Sequence, residues 1–115
     1  MTYVNGAVLA VPTKNKAIYL EHAKVSNEVF KSHGAVQVVD CWGDEVSEGK
    51  VTSFPQAVQL KEDETVVFSW VMWPSKEAAQ NGMEAAMQDE RWKDFGQPPF
   101  DGSRMIFGSF ETLVE

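Results

Sequence analysis

Cysteine is almost missing from this chain: Cys41 stands alone among 115 residues. One thiol excludes an internal disulfide and fits a reducing compartment. Histidine is nearly as scarce, with only His22 and His33, and no carboxylate spacing around either completes a metal site. Basic residues are also few, ten Lys and Arg against seventeen Asp and Glu, for a formal charge of −7. That balance opposes phosphate backbones and anionic membrane surfaces, because no basic run compensates for it. Lys14 and Lys16, the one visible cluster, read as solvated surface. No apolar run approaches the ~20 residues of a membrane-spanning helix. The run from Ala7 to Val11 has no basic segment before it and reads as a strand ending in a turn, not as a secretion signal. Also missing are a Gly-rich phosphate loop, a Gly-x-Ser-x-Gly elbow and a Cys-x-x-Cys pair. The expectation is a cytoplasmic protein with no metal, no cofactor, and neither nucleic acid nor membrane as partner.

What is present is the composition of a folded protein, 43% hydrophobic and 23% charged. The length suits one domain over residues 1–115. Tyr3 to Val11 reads as a strand whose pairing stops at Pro12. Thr13 is placed to cap a helix running to about His33, with Ile18, Val25 and Val29 beside Tyr19 and Phe30 on its inner side. Gly34 then offers a left-handed stop. AVQVVDCW, Ala35 to Trp42, is the second strand. The connection 43–64 is long for a structureless loop, and the shared parity of Phe54, Val58 and Leu60 suggests a short strand or an edge flap. Thr65 to Trp73 is the third strand. Ser75 caps a second helix through Met87, inside which Gly82 signals a close approach to another backbone. A short helical turn and loop, 89–99, lead to a last strand from Arg104 to Val114.

The order β-α-β-β-α-β predicts an α+β fold of ferredoxin-like form: a four-stranded antiparallel sheet with both helices on one face and the first and third strands central. TVVFSWVMWP, Thr65 to Pro74, is apolar on both alternating faces. Val66, Phe68, Trp70 and Met72 share one side; Val67, Val71 and Trp73 share the other. The helices cover one set. Leaving the other in water forfeits on the order of 5–10 kcal/mol, as much as the whole stability of a small domain. A homodimer joined through this open sheet face is the expected solution, since a two-fold axis lets an apolar patch meet itself.

YVNGAVLAVP, VVDCWGDEVSEGKVTSF, ETVVFSW with WPSKEA after it, and FDGSRMIFGSF together resemble the YbaA-like family of bacterial proteins of unknown function. The similarity spans nearly the whole chain. The resemblance implies a dimeric α+β barrel, in which a ferredoxin-like subunit joins its sheet to a partner's. It implies no reaction. Other branches of that superfamily include cofactor-independent monooxygenases, lactone isomerases, haem enzymes and small-ligand sensors, and membership selects none of them.

Candidate residues for chemistry are few. Asp40 shares its face with Val36, Val38 and Trp42 and is either partnered, exposed at the strand end, or a base in an apolar pocket. Its neighbour Cys41 reads as a small buried hydrophobe, because a carboxylate beside a thiol opposes thiolate formation. His22 lies one turn from Ile18 and reaches the core face as a hydrogen-bonded residue or a base. Arg104 either clamps a ligand anion or pairs with Asp101 to hold a turn. The leading expectation is a cavity between sheet and helices, lined by Trp42, Ser69, Trp70 and Phe107 with Asp40 and Arg104 as polar contacts, holding a small apolar or carboxylate-bearing molecule. A cofactor-independent oxygenase or isomerase would use Asp40 or His22 as base and Arg104 to stabilise the anion. A third class is a structural or interaction module, marked by a solid, dry barrel.

Overall fold

In the computed structural model, which describes all residues from Met1 to Glu115, the two most apolar strands pair with each other. Strand β1 is Tyr3–Pro12 and β3 is Glu64–Trp73; they run antiparallel with Leu9 opposite Val67 and Tyr3 opposite Trp73. Val8, Leu9, Ala10 and Val11 are all buried, as are Val66 and Val67. Burial of consecutive residues means that both faces are covered there, the signature of a central strand. The shorter strands take the edges: β2, Gln37–Trp42, beside β3, and β4, Ile106–Glu111, beside β1. The sheet is four-stranded, antiparallel throughout, in the order β2-β3-β1-β4.

Helices α1, Lys16–Ser32, and α3, Lys76–Met87, share one core with the sheet. Val29 and Phe30 meet Ala79 and Ala86 around Trp73 and Val38. Ser75 caps α3, its hydroxyl accepting from the Ala78 amide at 3.1 Å, as expected from the sequence. Gly82 packs where anticipated, but against more than backbone. A Cβ there would come within 2.1 Å of the Trp73 ring and 2.7 Å of the His33 carbonyl oxygen. Trp73 is held in place by Asn5. The indole N–H donates to Asn5 Oδ1 at 2.7 Å, while Asn5 Nδ2 donates to Ser109 Oγ at 2.8 Å. One buried amide therefore ties β3, β1 and β4 together.

Three local expectations need correction. Thr13 caps no helix: residues Thr13–Asn15 form a 3-10 turn, and its hydroxyl hydrogen-bonds the Thr65 hydroxyl at 2.7 Å. Ile18 is 59% exposed, because the inward stripe of α1 begins at Tyr19 and continues through His22, Ala23 and Ser26. The last strand starts at Ile106, not Arg104, since Asp101 caps a 3-10 turn over Gly102–Arg104 by accepting from the Ser103 amide.

The face opposite α1 and α3 is covered at one end only. The connection between β2 and β3 folds back over it as a flap containing α2, Phe54–Ala57, rather than as an extra strand. Ser53 caps that short helix and Pro55 stands in its first turn. Val58 then lies against Val8, Ala10 and Val66 and is 1% exposed. Beyond the flap the sheet is bare. Phe68, Ile106 and Phe110 are exposed there beside the half-buried Val4, Trp70 and Met72. The Phe110 ring lies across Gly6 and Gly108, whose missing side chains leave it a flat floor. Cys41 is exposed rather than buried, because it sits on edge strand β2 on the open face, outside the flap.

Candidate functional site

The inward stripe of α1 is small or polar where it crosses the middle of the sheet. Ala23 and Ser26 leave space that bulkier residues would fill, and opposite them stand Ala7 and Ser69. The result is a cavity of about 460 Å³ between α1 and the sheet. Trp92, from the 3-10 turn Glu90–Asp94, and Phe100 and Met105, from the following loop, wall it from the side. Trp92 is anchored by its indole N–H, which donates to the Ala86 carbonyl at 2.6 Å.

Against this apolar lining stands one small polar cluster. Tyr19 donates its hydroxyl proton to Asp40 Oδ1 at 2.6 Å, joining α1 to β2. The His22 ring sits one turn further along α1, 6.2 Å from the Tyr19 ring. Trp92, Phe95 and Phe100 surround His22 with ring centroids at 5.8, 5.2 and 6.0 Å. Burial raises the Asp40 pKa above the usual carboxylate value, while the Tyr19 hydrogen bond and nearby His22 pull it back. His22 is shifted down, first by burial, with the Asp40 charge opposing. Burial, and then Asp40, push Tyr19 upward, so its phenol stays a donor. Asp40 itself is exposed, at the rim where the cavity meets an adjoining groove.

Of the residues singled out in the sequence, Asp40, His22, Ser69 and Phe107 border this cavity. Trp70 lies along its edge, but its ring is on the open face, donating from the indole N–H to Gln37 Oε1 at 2.9 Å. Trp42 lines the adjoining groove, with Lys16 Nζ 5.6 Å from its ring centroid. Arg104 is elsewhere. Its guanidinium donates to Glu64 at 2.6 and 2.8 Å, to Asp101 at 3.0 Å and to the Gln59 carbonyl at 3.0 Å. These bonds fasten the turn before β4 to the flap and the start of β3. His33, at the end of α1, lies 2.9 Å from Asp89, which also accepts from Arg91. No group of three His, Cys, Asp or Glu is placed to hold a metal ion. No helix is long and apolar enough to cross a membrane.

Sequence reasoning missed Tyr19 as the partner of Asp40 and Asn5 as the partner of Trp73. A signal for the first was available: Tyr19, His22, Ala23 and Ser26 have helical spacing, and Asp40 has the parity that faces them. Three other concavities are larger. The adjoining groove, about 540 Å³, shares Tyr19, Ala23 and Asp40 with this cavity. Of the other two, one of about 710 Å³ is the bare patch on the open face, and one of about 750 Å³ between flap and β3 is lined mainly by polar and charged groups. Neither of these two gathers an arrangement like that around Asp40.

The family model described as "Protein of unknown function (DUF1428)" matches residues 2–102. The proteins named "Uncharacterized protein YbaA" from Escherichia coli (strain K12) and from Shigella flexneri are each 47% identical over 116 residues, covering 100% of this chain and 99% of theirs. The match agrees with the resemblance read from the sequence motifs.

Proposed function

Because this chain belongs to the DUF1428 family of proteins of unknown function, we propose its role from its own geometry: a homodimer that binds a small, largely apolar molecule between α1 and the sheet. The cavity itself is the observation that carries this reading. Its volume of about 460 Å³ lies within the usual range for small-molecule sites, and its mostly apolar lining carries a few polar groups, among them the hydrogen-bonded pair Tyr19 and Asp40. A structural module with a solid interior has no need of such a space. The anion-stabilising role that an oxygenase or isomerase would ask of Arg104 lacks support, because that guanidinium is engaged by Glu64 and Asp101. Binding is therefore the reading favoured over catalysis.

The bare end of the sheet supports the dimer. Its lining, from Val4 and Phe68 to Ile106 and Phe110, includes no charged residue, so two copies can meet there without like-charge repulsion despite a net charge of −7. Each large apolar side chain so covered contributes roughly 1.5–3 kcal/mol. The strand order β2-β3-β1-β4 with α1 and α3 on one face supports a ferredoxin-like subunit. Pairing two such open faces would build the dimeric α+β barrel.

Native mass spectrometry of freshly purified protein tests both parts. The expected result is twice the chain mass, with a small molecule released on activation, and loss of that molecule in Ser26→Phe, which fills the cavity. A single-copy mass at low micromolar concentration, matched by sedimentation, would rule out the dimer. Equal retention by Ser26→Phe would rule out the cavity.

A further inference from the structure

The cavity beside α1 carries a charge that nothing in the protein neutralises. Among the residues that border it, Tyr19, His22 and Asp40 are the only titratable ones, and no Lys or Arg is among them. Asp40 accepts one hydrogen bond, from Tyr19, and forms no ion pair. The adjoining groove holds two cations, Lys14 and Lys16; neither pairs with Asp40, and Lys16 lies over the Trp42 ring. Asp40 is exposed at the cavity mouth, so water serves its remaining oxygen in the free protein, and a ligand that displaces this water must bring a cation or donors in its place. Aromatic rings stand close by. The Tyr19 ring is 6.1 Å from Phe100 and 6.3 Å from Trp42, and Trp92 follows beyond His22. Such rings attract an organic cation through their quadrupoles.

We infer that the ligand class of this cavity is a small amine with an apolar body, bound as the ammonium against Asp40 and flanked by the aromatic rings. The inference rests on the cavity-binding reading above and specifies its chemistry. A carboxylate ligand would meet the Asp40 charge with no cation to offset it. An alcohol would satisfy a hydrogen bond but leave the charge uncompensated. Burial disfavours the charged form of His22, with the Asp40 charge opposing, and the ring makes no ion pair with Asp40.

Calorimetric titration of the full chain at pH 7 with three matched probes decides the matter: 2-phenylethylamine, 2-phenylethanol and phenylacetate. The expected order is amine tightest, the alcohol weaker by about tenfold, and the carboxylate weakest. In Asp40→Asn, whose amide oxygen still accepts from Tyr19, the amine should lose about tenfold in affinity while the alcohol changes less than about twofold. An alcohol that binds as tightly as the amine, or an Asp40→Asn variant that weakens both alike, would overturn the amine assignment while leaving the cavity reading standing. Failure of all three probes to bind would overturn both. Should Asp40→Asn not fold, the order of the three probes on the unaltered protein decides by itself, and Tyr19→Phe, which frees a second Asp40 oxygen, should keep the preference for the amine.

Discussion

Replacing Gly82 with alanine sets two effects against each other, and the structure decides which prevails. On helix propensity alone the change should stabilise the protein, because alanine in a helix interior is favoured over glycine by about 1 kcal/mol. The surroundings oppose it. The new Cβ would sit 2.1 Å from Trp73 Cζ3, 2.6 Å from its Cη2 and 2.7 Å from the His33 carbonyl oxygen. None of these neighbours can yield easily. Trp73 is 0% exposed and its indole N–H is bound to the buried Asn5, while the carbonyl belongs to the backbone at the end of α1. Overpacking of a well-filled core costs roughly 1–3 kcal/mol, sometimes more. A clash with both a trapped ring and main chain belongs at the upper end, about 3 kcal/mol. The net effect expected is a loss of about 2 kcal/mol after the propensity gain. For a chain of this size that lowers the melting temperature by roughly 8 °C. Calorimetry or circular dichroism on both proteins at the same concentration measures it, since any self-association would make the midpoint concentration-dependent. An unchanged or raised melting temperature would refute the reasoning, because it would mean that α3 can lift from Trp73 at no cost.

Asn5→Leu should cost about 2–3 kcal/mol in denaturant unfolding, since it strands the Trp73 indole N–H in the core and removes the donor to Ser109; a loss under about 0.5 kcal/mol would show that this amide is dispensable. Arg104→Met should weaken the protein in a pH-dependent way. The Arg104 hydrogen bond holds the Glu64 pKa below its ordinary value, and Ser103 together with Arg104 brings Asp101 down to about 2. Groups with depressed folded-state pKa values stabilise above their unfolded pKa and lose that contribution as pH falls through the folded value. The melting-temperature gap between wild type and Arg104→Met is therefore expected to be full at pH 7 and to close as pH is lowered through the carboxylate range toward about 2. A gap that stays constant over that range would argue against the ion pair.

The sheet and its order were legible because they follow from local information. Alternation in Tyr3–Pro12 and Glu64–Trp73, the cap at Ser75 and the stop at Gly34 are short-range signals. Right-handed connections leave few ways to assemble such pieces. The double-sided apolar character of β3 also exposed in advance that one face lacks a cover. Which face, and how much of it, was a tertiary outcome. The flap buries Val8, Ala10 and Val66 beneath Val58; the shared parity of Phe54, Val58 and Leu60 suggests a strand or a flap there, but not which face it covers. Nor does local sequence fix the partners of lone polar groups. Arg104 and Asp40 were equal candidates for one cavity, yet Glu64 claims the first, from forty residues away, and Tyr19 claims the second. A charged side chain takes whatever partner the assembled fold brings within reach, so its role is settled only once the strands have taken their places.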